Sequence, residues 1–446
     1  MLSIVSLTDS RSVRKGRSVT AMLVLLVAGI PIDAPSQSNS ASPDSITLDA
    51  VVAEALTNNP ELKFYEAEVA AAKAGRRSAG SWQNPTLSGS VGHKTADGGG
   101  LSAEGVAWSV SAVQPFEWPG RIGLRKAIAN QDLELANLGF ERFKVALAGR
   151  VRTLAYGLFA AQEKSAAASE VAGRFKALRE VLVQRDPAGL TPLLETRVIE
   201  ATELNAQRKA SDALLVTQAA FLELNQLRGV SPQSPIRIAE SALSFRPPED
   251  RDALLAMART NNFELRLRAV ELGQQGLRVD LARNDRYPAI SVGPTFSEEN
   301  AGGDRERILG VVVSLPLPVW NRNRGNIEAA AARQTQASVS YDVAQRDVIR
   351  RVLEAALIYE TKLREMTRWR PDSVVHFREA AEIADRHYRL GAVPISTYVE
   401  LQKQYLEAVE GLLDTKKQAL EAAAQLELLT GMSQPLSSAT ASKEVK

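Results

Sequence analysis

The side chains most able to do chemistry in this 446-residue chain are few and scattered. It has three histidines, His93, His376 and His387, and no cysteine. Without cysteine there can be no disulfide, no thiolate metal centre, no cysteine nucleophile and no lipid anchor on cysteine. No His-x-x-x-His pair or carboxylate at ligand spacing surrounds the histidines, so neither a metal site nor an acid–base pair is spelled out. His376 and His387 can share a helix face, as two surface histidines do, and Glu298-Glu299 reads as solvated loop charge. The remaining candidates gather at two turns, residues 186–192 and 388–394. Gly189 and Gly391 there suit the left-handed end of one helix, and Pro192 and Pro394 suit the start of the next. Each turn is therefore expected to be a helical hairpin tip. Neither catalysis nor a cofactor is expected.

These tips stand in equivalent places because the chain repeats itself at a separation of about 202 residues. Asn58-Asn59 returns as Asn261-Asn262, Pro85 as Pro288, Pro115 as Pro316, Trp118 as Trp320, and Gly229 as Gly431. The matched residues are punctuation rather than generic apolar positions, so one piece of architecture is built twice, over residues 46–230 and 250–432. Between them, prolines 232, 235, 247 and 248 mark residues 231–249 as a linker that no helix can cross. Residues 433–446 read as a disordered tail.

Composition favours long, closely packed helices: 45% of residues are hydrophobic but only 5% are aromatic, and alanine fills the difference. A net charge of +2 gives no support to a nucleic-acid partner. Helical patterns of about 66 residues run over 121–186 and 322–388, each about 100 Å long. Shorter ones cover 47–80, 192–229, 250–283 and 394–431. Val399, Leu406, Leu413 and Leu420 form a heptad row, and Leu194, Val198, Ala201 and Leu204 a second apolar stripe, both signs of coiled-coil packing.

Two stretches alternate with period two, residues 86–116 and 289–317. In the first, Leu87, Gly89 and Val91, then Val106, Trp108, Val110 and Ala112 alternate with small or polar residues; in the second, Ile290, Val292 and Phe296, then Leu309, Val311, Val313 and Leu315 repeat the pattern. Each is a hairpin of strands about ten residues long, suited to a tilted membrane strand, although a soluble hairpin capping a helical bundle would alternate in the same way. Four strands cannot close a barrel and would leave exposed edges, so the chain is expected to oligomerise; twelve strands from three copies would enclose water. Residues 1–36 read as an export signal, with Arg11, Arg14, Lys15 and Arg17 ahead of a short apolar run over 21–30.

The plan of leader, helix, Asn-Asn-Pro, strand hairpin, long helix, tip and short helix, repeated once, resembles the TolC-like outer membrane efflux protein family over about residues 46–432. Thr47-Leu48 through Asn58-Asn59-Pro60-Glu61-Leu62, and Asn84-Pro85 before a strand, carry the likeness in the first half. Leu315-Pro316-Leu317-Pro318-Val319-Trp320-Asn321-Arg322-Asn323-Arg324-Gly325 resembles the strand-to-helix junction of the heavy-metal-efflux branch. The resemblance implies a mainly α protein with a small β part: a homotrimer with an internal two-fold repeat, four strands per chain in a transmembrane β-barrel, and a periplasmic α-helical coiled-coil tunnel. It implies outer membrane lipid, a periplasmic adaptor and an inner-membrane pump of the RND type as partners, with small solutes or divalent metal cations as cargo. Secreted polypeptide is the alternative cargo, and a non-transporting periplasmic coiled-coil protein the alternative class. By the same resemblance Gly189, Leu190, Arg389, Leu390 and Gly391 are adaptor-docking positions. Glu195, Tyr388, Thr397 and Glu400 stand at the periplasmic aperture. Tyr388 and Glu195 match a closing latch whose basic third member is replaced by Val393, and Thr397 replaces one of two entrance acids. Three copies of Glu400 at a constriction would attract cations.

Overall fold

The computed structural model describes residues 45–98, 101–185, 193–239, 241–301, 304–369, 372–432 and 435–441. The expected export signal and the first tip, with Gly189 and Leu190, lie outside the described residues. The first half opens with α1 (Leu48–Asn58) and α2 (Pro60–Ala79). Strands β1 (Thr86–Gly98) and β2 (Leu101–Phe116) follow, then α3 (Arg121–Arg185) and α4 (Leu193–Arg228). The second half holds α5 (Arg251–Asn261), α6 (Phe263–Asn284), β4 (Ile290–Ala301), β5 (Asp304–Ser314), α7 (Arg324–Arg368), α8 (Ser373–Arg389) and α9 (Ile395–Thr430). Strands β3 (Ser241–Phe245) and β6 (Ser437–Ala441) flank it.

The doubled asparagines explain why each half starts with two helices where the sequence pattern suggested one. Asn59 has extended backbone, its Oδ1 accepts from Glu61 N at 2.8 Å, and Pro60 occupies the first helical position of α2. Its Nδ2 donates to the Leu227 carbonyl at 2.8 Å, one of the last, otherwise orphaned carbonyls of α4. Asn262 plays the same two parts, its Oδ1 accepting from Leu265 N, one position further along than in the first half, at 3.1 Å, and its Nδ2 donating to the Leu429 carbonyl of α9 at 2.7 Å. One buried side chain thus starts one helix and finishes another. The same corners hold Gly229 and Gly431 at φ of 69° and 63°, where a Cβ would strike the backbone of Asn58 or Asn261.

At 65 residues α3 is about 98 Å long. It packs against α1, α2, α4, α6 and α9, so its apolar residues wrap around it instead of forming one stripe. Its second-half counterpart is not one helix over 322–388: α7 ends at Arg368 and α8 begins at Ser373. The physical reason is in the sequence, since Pro371 lacks an amide hydrogen and disfavours helix in the residue before it. The core gathers around Phe175, Tyr398 and Tyr405 between α3, α8 and α9, and around Tyr359 between α5, α7 and α9.

Two further expectations are corrected. The linker contains β3, which pairs antiparallel with β6, so part of the tail expected to be disordered is an ordered strand with Ser437 opposite Phe245. Tyr359 Oη locks this pair to α7 by donating to the Arg246 carbonyl at 2.7 Å. On α4 the stripe expected to pack is exposed at Val198 and Leu204, while Ile199, Ala206, Leu224 and Leu227 are buried. The heptad row of α9 does pack, with Leu406, Leu413 and Leu420 buried.

Candidate functional site

The four long strands form one antiparallel sheet in the order β1-β2-β4-β5, so the two hairpins join through β2 and β4. Register assigns every residue to a face. Val91 opposes Trp108, Val110 opposes Phe296, Phe296 opposes Leu309, and Pro294 opposes Val311. This face is apolar yet open to solvent in the single chain: Val91 is 81% exposed and Val311 71%. On β2 it runs from Val106 to Phe116, broken at Gln114, whose amide donates to the Gln83 carbonyl at 2.9 Å. Ten residues of rise span about 34 Å, or about 25 Å along the normal of a strand tilted about 40–45°, the height of a membrane barrel's apolar band.

The other face is mostly small or polar, with Val113, Ile308 and Val312 as its larger apolar residues. It carries Ser88, Ser90 and Gly92 on β1, Ser109 and Ser111 on β2, Ser291, Thr295 and Ser297 on β4, and Ser314 on β5. Ser90 and Ser109 Oγ atoms sit 2.8 Å apart. Near the hairpin ends, Lys94 reaches across β2 to Glu299 at 2.5 Å and stands 3.9 Å from Glu306. Gly105 and Ala107, the β2 residues it crosses, leave room for the long side chain. On the apolar side, at the band's edge opposite Trp108, Glu298 binds Arg307 at 2.9 Å and Arg305 at 3.3 Å. A sheet with one exposed apolar face, one hydrophilic face and charge confined to its ends is built to separate lipid from water.

The second tip is a helical hairpin. Gly391 takes φ of 73°, its N–H donates to the Tyr388 carbonyl at 2.9 Å, and Ala392 N donates to the His387 carbonyl at 2.9 Å, closing α8 before Pro394 leads into α9. Leu390 projects at the turn, 76% exposed, and Arg389 is paired with Asp385 at 2.9 Å. Just inside, the Tyr388 ring stacks on Tyr398 with centroids 5.3 Å apart, and Tyr398 meets Phe175 of α3 at 5.3 Å. Burial first, and then the nearby Glu195 carboxylate, push the Tyr388 phenol up, so it stays neutral and able to donate. One layer deeper, Arg174 of α3 binds Glu170 at 2.6 Å, Glu382 of α8 at 3.4 Å and Gln402 of α9 at 3.3 Å. Thr397 and Glu400 are exposed on α9, and Gln404 Nε2 donates to Glu400 at 2.7 Å.

Residues 51–230 and 254–432 match the outer membrane efflux protein family, more than half of the chain. The chain belongs to that family. Its residence is accordingly the outer membrane. It is 24% identical over 244 residues to the cobalt-zinc-cadmium resistance protein CzcC of Cupriavidus metallidurans, covering 54% of this chain and 57% of that one. It is 25% identical over 344 residues to the nickel-cobalt-cadmium resistance protein NccC of Alcaligenes xylosoxydans xylosoxydans, covering 74% and 72%. In fold it is similar to the CmeC outer membrane channel of Campylobacter jejuni, with a TM-score of 0.71 at 16% identity over 92% of this chain and 94% of that one.

Within this efflux protein the structure brings Tyr388 close to Glu195, two residues separated by most of a repeat, while Val393 is half-buried and offers no charge. Thr397 and Glu400 share the next turn of α9. Among the described residues no group of three or more His, Asp or Glu could hold a metal ion. His376 instead bonds Asp372 at 2.8 Å at the start of α8. Glu298 and Glu299, read from the sequence as solvated loop charge, lie instead in β4 and are paired, Glu298 with Arg305 and Arg307 and Glu299 with Lys94. The cluster's signal was available, since Lys94, Glu299 and Glu306 all lie on the polar side of the alternation.

Proposed function

We propose that three copies of this chain close a twelve-stranded barrel through the outer membrane, continuous with a helical tunnel, and serve as the exit duct of a tripartite efflux system. The observation that carries the reading is the sheet: an exposed apolar face, a serine- and glycine-rich opposite face, and two strands, β1 and β5, each paired on one side only. Such edges demand a partner, and a closed barrel removes them. The hydroxyl-lined face would then surround the water path. The tips would meet a periplasmic adaptor through Gly189, Leu190, Arg389, Leu390 and Gly391, with an RND-type inner-membrane pump behind it. Glu195, Tyr388, Thr397 and Glu400 would set the periplasmic aperture.

Divalent metal cations are the cargo we favour, because both curated relatives are named for resistance to such metals. Among the described residues no cluster of side chains could hold and so select a metal ion, so selection would belong to the pump, while the aperture would favour positive charge through three copies of Glu400. Deleting the gene in its host and restoring it on a plasmid tests this. Loss of resistance to cobalt, zinc, nickel or cadmium, with raised cell-associated metal and rescue by the intact gene, is expected. Unchanged metal tolerance and content would remove the cargo assignment.

A further inference from the structure

We propose that a groove between α2 and α3, just beneath the apolar band, binds the headgroup of an anionic phospholipid of the periplasmic leaflet through Lys73, Arg76, Arg77 and Lys126. The proposal rests on the barrel reading above, which puts the helix-bearing end of the sheet in the periplasm.

Spacings of three and four residues put Lys73, Arg76, Arg77 and Gly80 on one side of the end of α2. With Ser81, and with Lys126 and Leu133 of α3, they line a groove of about 690 Å³, ample for a headgroup and its phosphates. Gly80 lets Lys126 lie close, since a Cβ there would stand 3.1 Å from Lys126 Cδ. All four cations are exposed, and among the described residues none of them forms an ion pair. That sets them apart, because Arg121, Arg125, Arg150 and Arg152 of α3 each hold a carboxylate. Like charges gathered in one groove repel, and an anion held among them turns that repulsion into charge-assisted hydrogen bonds.

The architecture does not require this charge. Asn59 and Pro85, on either side of α2, return as Asn262 and Pro288, both 203 residues on. At that offset Lys73, Arg76 and Arg77 answer to Gly276, Val279 and Asp280, and Gly80 answers to Arg283, which pairs with Asp280 at 3.1 Å. The duplicated helix keeps the fold and lacks the cationic cluster.

Position names the ligand. Ser81 leads into Trp82, whose ring meets Phe116 edge-on at 5.8 Å, and Phe116 ends the apolar face of β2. Trp82 is 60% exposed, as suits an indole at the edge of the hydrocarbon. At about 1.5 Å per residue, Arg77 and Arg76 lie about 8–9 Å beyond Trp82. The headgroup layer on one side of a bilayer is about 5–8 Å deep, so their long side chains reach its phosphates. A basic groove at that depth, beside an aromatic girdle, meets lipid phosphate where acyl tails anchor it.

The full chain in detergent, stripped of lipid, tests this by native mass spectrometry, with bound lipid measured against added lipid. The probes are diphosphatidylglycerol, phosphatidylglycerol, phosphatidylcholine and inorganic phosphate. The parent should hold the two anionic lipids at least about tenfold more tightly than phosphatidylcholine, and an equal concentration of inorganic phosphate should not displace them. Arg76→Gln with Arg77→Gln and Lys126→Gln should lose that preference. Lys63→Gln with Arg266→Gln and Arg346→Gln, an equal loss of charge at exposed helix positions elsewhere, should keep it. If the first triple variant fails to assemble, Arg77→Gln alone should still weaken anionic lipid by about fivefold. A trimer that conducts in a planar bilayer yet binds anionic lipid and phosphatidylcholine alike would overturn the inference and leave the channel reading standing. So would groove variants that keep the preference, or displacement of the lipid by inorganic phosphate, which would make the groove a site for free anions. Monomer without conductance would overturn both.

Discussion

Replacing Asn59 by alanine removes two interactions made by one buried side chain, and their separate costs can be worked from the structure. Loss of the Oδ1 acceptor leaves Glu61 N without its cap, a deletion that costs about 1 kcal/mol. Loss of the Nδ2 donor strands the Leu227 carbonyl, because Gly229 N and Val230 N already serve Gln226 and Asn225 instead. A buried acceptor left unsatisfied costs about 1–3 kcal/mol. The Asn59→Ala penalty is therefore about 2–4 kcal/mol, whereas Asn59→Ser keeps an acceptor at the cap and forfeits only the second part, about 1–3 kcal/mol. Native-state hydrogen exchange in detergent micelles is the assay, since it reads local opening of α2 and of the end of α4 without requiring reversible global unfolding. Protection should fall together at both helix ends in Asn59→Ala, and the same should hold for Asn262→Ala at α6 and α9. A loss confined to α2, or below about 0.5 kcal/mol at both sites, would refute the view that each asparagine joins two helices.

Val311→Arg places a charge on the apolar face and should cost about 2–4 kcal/mol of barrel stability, while Ser90→Arg on the opposite face should be tolerated; urea unfolding in lipid vesicles compares them. Glu400→Gln should reduce cation over anion permeability, read as a shift in reversal potential under a salt gradient, with no change in trimer yield. The hydrogen bond and charge of Asp372, and then Glu379, hold the His376 pKa above its ordinary 6.5. A raised value means the folded state favours the proton, so the contribution is full below about pH 6.5 and is lost as pH rises through the folded value. Protection of the first α8 amides should decline across that window in the parent and not in His376→Gln.

What could be read in advance depended on how local the physics was. Period-two alternation assigned Val91, Val110 and Val311 to one face, because a side chain's face depends only on its place in the strand. The strands run further than expected, through the Gly-rich hairpin ends to Gly98 and from Asp304, since paired neighbours override weak strand propensity. The repeated asparagines were visible as a repeat, but their work lies in bonds to residues far along the chain, which no local pattern reveals. The break before Ser373 was written in Pro371 and masked by the helical periodicity on either side. Ser437–Ala441 has the composition of a tail, and becomes a strand only because Ser241–Phe245 offers it an edge. On α4, periodicity found the apolar row of Val198 and Leu204 but could not say what covers it. At the mouth, Tyr388 and Glu195 were paired by family likeness alone; the stacking of Tyr388 on Tyr398 was not foreseen, because it joins residues on different helices.

The central claim is that copies of this chain together enclose a water-filled path through a membrane. Detergent-purified protein, sized by native mass spectrometry and added to a planar lipid bilayer, tests it most directly. The account predicts a trimer that inserts and gives stepwise, cation-favouring conductance. A protein that stays monomeric, needs no detergent and passes no current would contradict it.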